Sequence, residues 1–199
     1  MTEAVLGALD AAVQALKSRR ERFALVGGLA VSVHGEVRFT RDVDLVVAVS
    51  SDVKAERLVY ELRAEGYEPL ASVEHQERPR LSTVRLLSSF GVKVDLLFAS
   101  CGIEEEIVER AMILDVLGTT PMPVACPEEL LAMKILSMTS RRLQDRIDAQ
   151  KLIEQVKGLD LDRVKSNLSL IRERGYDRGE DLGSKLESVL AEVKEHSEG

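Results

Sequence analysis

The sequence predicts an α/β (α+β) fold, in which a mixed β-sheet flanked by helices is followed by a helical C-terminal half. Three observations support this prediction. Short apolar segments of strand length alternate with helical patterns up to about residue 125. One of them, residues 43–49, is apolar except for Asp44, as in a central strand covered on both faces. After Pro127 only helical patterns occur, so we predict a core over residues 1–125 and a helical C-terminal region over residues 126–199.

The predicted elements of the core are bounded by start and stop signals. Gly27 and Gly28 separate the first strand from the helix that follows it. Ser51 is typical of a helix N-cap, and Gly66 ends the helix that begins there. In chain order we predict a helix at 3–20, a strand at 23–26, a helix at 28–34, strands at 43–49 and 67–70 around a helix at 52–64, a loop or exposed strand end at 72–80, strands at 81–88 and 92–98 joined by a hairpin, a helix at 103–110, and strands at 112–116 and 119–124.

The C-terminal region reads as four helices. Pro127 stands at a first turn, and Glu128 and Glu129 follow it near the positive end of the helix dipole. Gly158 and the glycines at 175–179 separate later helical patterns. The sequence therefore predicts one helix from residue 127 and further helices over about 141–156, 160–173 and 180–195.

The composition argues against several classes of protein. No apolar run approaches the roughly 20 residues of a membrane-spanning helix, and the first residues lack the basic start of a signal peptide. A net charge of −7 argues against a protein that coats nucleic acid by bulk positive charge. Cys101 and Cys126 lack metal-binding spacing, so we expect buried free thiols in a reducing compartment. We therefore expect a cytoplasmic protein that does not bind membranes.

A pair of acids is the first candidate for chemistry. Asp42 and Asp44 open the apolar strand, and side chains at i and i+2 of a strand point to the same face. Two adjacent carboxylates repel each other, so a neutralising partner is expected, and oxygen ligands suit Mg²⁺. Gly27 and Gly28 form a strand-to-helix turn whose backbone N–H groups can approach a phosphate. Each feature alone has a simpler explanation, a solvated acid pair or a tight turn, but together they suggest a site for a metal-bound nucleoside triphosphate.

A third carboxylate, Asp95, lies in the middle of a strand that is otherwise apolar except for Lys93. A buried carboxylate without a partner is costly, so Asp95 requires one. If its strand lies beside that of Asp42 and Asp44, three carboxylates share one face. Such a group can hold two divalent metals about 4 Å apart, one activating an attacking hydroxyl and the other binding the triphosphate. The alternative is a salt bridge from Asp95 to Lys93 or to an arginine.

The segment from Gly27 to Asp44 reads Gly-Gly-x-Ala-x-x-x-His-Gly-x-x-Arg-x-Thr-x-Asp-x-Asp. It resembles the nucleotidyltransferase superfamily with the polymerase-β-like core, and within it the AbiEii-type toxin and minimal nucleotidyltransferase group. The resemblance implies a nucleotidyltransferase-type sheet in which Gly27 and Gly28 hold the triphosphate and Asp42 and Asp44 bind Mg²⁺. It also implies that Asp95 is the third carboxylate, which often serves as the base for the acceptor hydroxyl.

The resemblance continues beyond the core with two departures. Lys134 matches the helix lysine of the AbiEii-type pattern. Arg142-Leu-Gln-Asp145 matches its Arg-x-Lys-Asp cluster except at Gln144, where lysine is usual. The common Gly-Ser of the first motif is Gly27-Gly28 here, so a hydroxyl that would touch phosphate is missing unless Ser32 or the backbone replaces it.

Five further residues are candidates for nucleotide binding, each with a structural alternative. His34 either lines the nucleotide pocket or packs at the end of its helix. Arg38 and Arg41 either grip phosphates or pair with Asp42 and Glu36. Thr40 either touches the ligand or caps the turn that carries the acids. Lys134 either points into the cleft or extends out of a buried helix to solvent.

Two groups of charges are interpreted as ordinary surface features. Arg141, Arg142 and Arg146 alternate with Asp145 and Asp148, which favours a solvated ion-pair face. The arginines between Arg78 and Arg85 either guide an RNA acceptor or guard an exposed strand edge, and the second interpretation is favoured because no aromatic residues accompany them.

The function implied by the resemblance is Mg²⁺-dependent transfer of NMP from an NTP to an acceptor hydroxyl. The expected acceptor is an RNA end, such as that of a tRNA in a toxin–antitoxin setting, and a cognate antitoxin is an expected partner. One alternative is AMP transfer to a protein hydroxyl, and another is transfer to a small molecule such as an aminoglycoside. Two further alternatives are a catalytically silent module that binds a nucleotide or a partner protein, and a purely structural partner in an operon-encoded complex.

Overall fold

The structure, a computed structural model, describes residues 3–36, 39–74 and 80–198. The chain divides into two units. Of the described residues, 3–30, 39–74, 80–100 and 104–125 belong to the first unit, and 31–36, 101–103 and 126–198 belong to the second. The domain boundary at residue 125 stays a prediction.

The first unit contains the sheet, and its described strands are β1 (Phe23–Val26), β2 (Asp42–Val47), β3 (Glu68–Glu74), β4 (Leu81–Leu87), β5 (Lys93–Leu97), β6 (Met112–Leu114) and β7 (Met122–Val124). Their order across the sheet is β3-β4-β5-β2-β1-β7-β6. β2 pairs parallel with β5 and β1 pairs parallel with β7, while the other neighbours are antiparallel. β2 is therefore central, as its largely apolar sequence predicts, and its Val43 and residues 45–47 are buried.

The helices that begin in the first unit are α1 (Glu3–Ser18), α2 (Gly27–His34), α3 (Asp52–Ala64) and α4 (Glu104–Arg110). α1 packs on β2 and β5, α3 on β4, and α4 on β1 and β2. α3 starts where the sequence predicts because the hydroxyl of Ser51 accepts a hydrogen bond from the N–H of Lys54. α2 runs from the first unit into the second, so the residues of its last turn belong to the second unit.

The second unit is built from α5 (Pro127–Ser137), α6 (Leu143–Gln155), α7 (Leu161–Glu173) and α8 (Leu182–Glu198). α5 contacts each of the other three, which makes it the central helix of this unit. The carboxylate of Asp160 caps α7 by accepting a hydrogen bond from the N–H of Arg163. None of the helices in the described part of the chain has the length and apolar character that crossing a membrane requires.

The predicted mixed sheet flanked by helices and the helical C-terminal half are confirmed, and the differences concern strand lengths and edges. β3 continues to Glu74, so the stretch at 72–74 is exposed strand rather than loop, and residues 75–79 lie outside the described residues. β6 and β7 are shorter than predicted. β4 lies between β3 and β5, so the exposed strand edge expected near Arg85 is wrong.

Candidate active site

Two neighbouring strands bring three carboxylates to one face of the sheet. β2 pairs with β5 in the register Asp44↔Asp95, with Lys93 opposite Asp42. Directly opposed residues of neighbouring strands project to the same face at a spacing of about 4.8 Å. Asp42 shares this face because it is two residues from Asp44. The condition set by the sequence, that the two strands be neighbours, is met; the roles of the three carboxylates stay predictions.

The turn at Gly27 lies against one of these carboxylates. Gly27 has φ +66°, in the left-handed region that favours glycine, and it joins β1 directly to α2. A Cβ built on Gly27 would lie 2.0 Å from Oδ2 of Asp44. Gly28 follows in the first turn of α2, and the N-terminal end of a helix carries a partial positive charge that favours anions. A residue with a side chain at position 27 would therefore collide with the carboxylate of Asp44 where it now lies.

Arg85 of β4 supplies the neighbouring positive charge, and the sequence reasoning missed it. Arg85 stands opposite Asp95 in the β4–β5 register. Its Nε donates to Oδ1 of Asp95 at 2.8 Å, and its Nη2 donates to Oδ2 at 2.6 Å. These hydrogen bonds raise the pKa of Arg85 against the opposing effect of burial, and the charges of Asp42 and Asp44 add to the increase. The structure thus contains the arginine salt bridge that the sequence offered as the alternative for Asp95, and the surface-guard interpretation of Arg85 is wrong.

The segment before β2 carries three more of the predicted site residues. Thr40 is buried, and its hydroxyl lies 3.5 Å from the carbonyl oxygen of Asp42, which is consistent with the capping alternative. The guanidinium of Arg41 lies over the ring of Phe39, 5.6 Å from its centroid, and Phe39 is 59% exposed. Arg38 lies outside the described residues, so its contact with phosphate stays a prediction.

Lys134 is buried in the second unit between two acids of α6. Its Nζ lies 2.9 Å from Oδ1 of Asp145 and 2.7 Å from Oδ2 of Asp148. Asp148 is fully buried and also accepts a hydrogen bond from Nε2 of Gln144 at 2.9 Å. Lys134 therefore does not extend to solvent, and the solvated ion-pair face expected for Asp145 and Asp148 is wrong. Its contact with the nucleotide stays a prediction.

Arg142 and Arg146 contact different partners. Nε of Arg142 lies 2.8 Å from Oδ2 of Asp145, yet that oxygen accepts no hydrogen bond from any described residue. We therefore treat this contact as charge attraction, because its orientation is wrong for a hydrogen bond. Arg146 turns towards α8 instead, where its Nε donates to Oε2 of Glu192 at 2.8 Å.

The end of α2 places His34 half-buried in the second unit. Two residues later, Oε2 of Glu36 accepts a hydrogen bond from Nζ of Lys151 at 2.6 Å. The backbone N–H of Glu36 donates to Oε1 of Gln155 at 2.7 Å. Glu36, offered as a partner of Arg38 or Arg41, is thus engaged by α6, and the role of His34 at the nucleotide stays a prediction.

Comparison with known proteins gives a family. The sequence profile described as nucleotidyl transferase AbiEii toxin, type IV TA system, matches residues 11–198. The chain belongs to the AbiEii nucleotidyltransferase toxin family. It is therefore an enzyme of the nucleotidyltransferase class, as the motif at Gly27 to Asp44 implies. No curated protein shows significant sequence similarity to this AbiEii-family chain.

Solved structures share the fold of this AbiEii-family chain. An antigenic nucleotidyltransferase-like protein from Paracoccidioides brasiliensis superposes with a TM-score of 0.53 at 18% identity, over 94% of this chain and 93% of that one. ANT(2")-Ia in complex with adenylyl-2"-tobramycin superposes with a TM-score of 0.53 at 14% identity, over 87% of this chain and 99% of that one. Both similarities show the nucleotidyltransferase fold, and identities this low do not extend to substrate.

A second acidic group in the AbiEii-family chain lies at the start of α5. The thiol of Cys126 and the carboxylates of Glu128 and Glu129 offer ligand atoms within 4.8 Å of one another, close enough to hold one metal ion. However, Arg163 pairs with both oxygens of Glu129, and Oε1 of Glu129 also accepts from Nδ2 of Asn167 at 3.0 Å. Burial raises the pKa of Cys126, which disfavours the thiolate that binds metals. We therefore assign these three residues a structural role in the second unit instead of a metal-binding one.

The three carboxylates of the first unit match the ligand chemistry of a hard divalent cation better. Asp42, Asp44 and Asp95 offer six hard oxygen atoms on one face, the donor set that Mg²⁺ prefers. Asp42 and Asp44 are partly exposed, so a hydrated cation can reach them. Because Gly27 has no side chain, the carboxylate of Asp44 can lie directly against the turn that opens α2. These residues fit the metal that nucleotidyltransferases generally use.

Proposed function

We propose that this AbiEii-family enzyme transfers NMP from an NTP to a hydroxyl at an RNA end, with tRNA as the acceptor class. Asp42, Asp44 and Asp95 would hold Mg²⁺ in this reaction. The observation that carries the proposal is the alignment of Asp44 and Asp95 on neighbouring strands, with the turn at Gly27 directly against Asp44.

The proposed chemistry is an in-line displacement at the α-phosphorus. The acceptor oxygen forms a bond to this phosphorus, the bond to the bridging oxygen breaks, and pyrophosphate leaves. Mg²⁺ held by the carboxylates would neutralise triphosphate charge and favour ionisation of the attacking hydroxyl. Asp95, the least exposed of the three carboxylates, is assigned as the acceptor of the hydroxyl proton. The protein contributes chiefly by positioning and by neutralising charge.

The remaining predicted contacts are secondary parts of the same proposal. The turn of Gly27 and Gly28 would hold the triphosphate through its backbone and through the N-terminal end of α2. Five side chains are assigned to the nucleotide on the family resemblance, namely those of His34, Arg38, Thr40, Arg41 and Lys134.

The choice of an RNA acceptor rests on the family and not on the fold. The family is described as a nucleotidyltransferase toxin of a type IV toxin–antitoxin system, and NMP transfer to the 3′ end of a tRNA would block a hydroxyl that translation requires. ANT(2")-Ia was solved with an adenylylated antibiotic, so the fold also accommodates small acceptors. An antitoxin encoded with the enzyme and action in the cytoplasm, where NTPs and tRNA occur, complete the proposal.

The experiment is a label-transfer assay. The purified protein is incubated with Mg²⁺ and each of four α-labelled NTPs, in separate reactions containing total RNA, cell protein or an aminoglycoside. The Asp42→Ala/Asp44→Ala double variant is compared with Glu68→Ala/Glu74→Ala, which removes two exposed acids from β3. Both double variants change the net charge equally, so a difference between them reports on the site.

The expected result is label on RNA that disappears in Asp42→Ala/Asp44→Ala and persists in Glu68→Ala/Glu74→Ala. Label on protein or on the aminoglycoside would refute the RNA acceptor while keeping the metal site. Full activity of Asp42→Ala/Asp44→Ala would refute the assignment of these carboxylates. Nucleotide binding with no label on any acceptor would favour a silent binding module.

A further inference from the structure

The salt bridge between Arg85 and Asp95 occupies both oxygens of the carboxylate. Nε and Nη2 of Arg85 donate to Oδ1 and Oδ2 at 2.8 Å and 2.6 Å, the two-point geometry in which guanidinium and carboxylate planes match. The pair is fixed by the backbone, because Arg85 and Asp95 stand directly opposite each other in the β4–β5 register. Its geometry follows from the sheet and not from flexible surface side chains that happen to meet.

The two partners differ in their access to solvent. The side chain of Asp95 is 11% exposed, whereas that of Arg85 is 43% exposed. Arg85 can therefore turn away into water without opening the core, while Asp95 stays on its face of the sheet. The guanidinium also lies in the field of Asp42 and Asp44, whose charges help to raise its pKa. Arg85 is thus a positive charge shared by the whole carboxylate group.

A divalent cation bound by this group would need an oxygen of Asp95 that Arg85 now contacts. Direct coordination by Asp95 requires one of its oxygens to face the metal, and both oxygens now face the guanidinium. A carboxylate oxygen has a second lone pair, but a guanidinium and a divalent cation on the same carboxylate repel each other because their charges have the same sign. The two positive groups therefore compete for Asp95.

We propose that Arg85 is a positioning residue that competes with the divalent cation for Asp95. It holds the carboxylate in place and neutralises it before the cation binds, and it releases at least one oxygen when the cation arrives. Arg85 thereby sets how much divalent cation the enzyme needs. The proposal rests on the metal site of the proposed function.

The test measures Mn²⁺ binding directly, by electron paramagnetic resonance of the free ion titrated with metal-free protein. Arg85→Gln removes the competing charge, and Arg85→Lys keeps the charge but loses the two-point grip. Arg80→Gln is the matched control, because it removes an arginine that pairs with Asp52 at 3.4 Å near the start of the same strand. Asp42→Asn reports whether the ion binds at the carboxylates at all.

We expect Arg85→Gln to bind Mn²⁺ about 5- to 30-fold more tightly than the wild type, as loss of one partly exposed charge-assisted interaction implies. Arg85→Lys should fall between them, and Arg80→Gln should match the wild type. The rise in melting temperature on adding Mn²⁺ should also be larger for Arg85→Gln, because its carboxylates lack their neutralising partner. This second readout serves if the metal-free variant is too unstable to titrate.

Two results would overturn the proposal and are distinguishable. If the wild type binds Mn²⁺, Asp42→Asn weakens binding, and Arg85→Gln binds equally or less tightly, then Arg85 does not compete and the metal site stands. If the wild type binds no Mn²⁺, or Asp42→Asn leaves binding unchanged, the metal site of the proposed function fails and the competition fails with it.

Discussion

Replacing Gly27 by alanine adds one methyl group where both the backbone and the available space are constrained. At φ +66° an L-residue pays roughly 1–2 kcal/mol for the left-handed conformation. The new Cβ would also lie 2.0 Å from Oδ2, 2.6 Å from Cγ and 2.8 Å from Cβ of Asp44, all closer than real Cβ contacts. Asp44 or the turn must therefore move, and forcing a methyl group into occupied space costs roughly 1–3 kcal/mol. We expect a total loss of about 2–5 kcal/mol in the free energy of unfolding.

Gly91→Ala is the matched control for the backbone cost. Gly91 has φ +69° at the β4–β5 turn, and nothing lies within 4 Å of a Cβ built there. This variant should lose only the roughly 1–2 kcal/mol of the left-handed conformation. The difference between the two variants therefore isolates the contact of residue 27 with Asp44.

Urea unfolding measures both losses, and Mn²⁺ binding and label transfer measure the displacement of Asp44. We expect Gly27→Ala to weaken Mn²⁺ binding and to lower label transfer, and Gly91→Ala to leave these two measurements unchanged. In an Asp44→Ala background, which removes Oδ2 and Cγ, Gly27→Ala should cost less, so that the double variant loses less stability than the sum of the two single variants. Equal losses of stability for Gly27→Ala and Gly91→Ala, with Mn²⁺ binding intact, would refute the close approach of the turn to Asp44.

Three further outcomes follow from the second unit and the buried thiols. Asp148→Ala should cost about 1.5–3 kcal/mol in urea unfolding, because it removes a fully buried charged partner of Lys134, which keeps Asp145 as its other carboxylate. A loss below about 1 kcal/mol would contradict this. Arg146→Gln should cost roughly 0.2–1 kcal/mol of unfolding free energy at pH 7 and less at pH 3. The hydrogen bond from Arg146 lowers the pKa of Glu192, so the stability that it provides above the unfolded pKa is lost as the pH falls. Equal costs at both pH values would argue against the pair. Cys101 and Cys126 should resist a thiol reagent at pH 8 until urea unfolds the chain, because both are buried and burial raises the pKa of Cys126. Rapid labelling of the native protein would contradict their burial.

The order of the elements could be predicted because local signals bound them. β1 and α3 have the predicted bounds, since a glycine turn follows the first and a serine cap precedes the second. Strand lengths could not be predicted in this way, because a strand ends where its partner ends. β3 continues to Glu74 because β4 pairs with it that far, although its residues are all exposed.

The buried charges of the second unit show a different limit. Asp145 and Asp148, together with Ala149 and Leu152, form the buried face of α6 at positions i, i+3, i+4 and i+7. That spacing is visible in the sequence, but acids that alternate with arginines are more typical of a solvated face. What the sequence lacks is the partner, because Lys134 reaches these acids from α5 and neutralises them inside the unit.

Arg85 could have been found by counting outward from the hairpin turn. Leu87 pairs with Lys93 across the loop, so the second pair beyond it joins Arg85 to Asp95, and opposed residues share a face. Counting cannot supply the parallel pairing of β5 with β2, which depends on the long connection through α3, β3 and β4. The hairpin alone explains an ordinary ion pair. The fold places that pair beside Asp44, and for this reason Arg85 bears on how the carboxylates receive a cation.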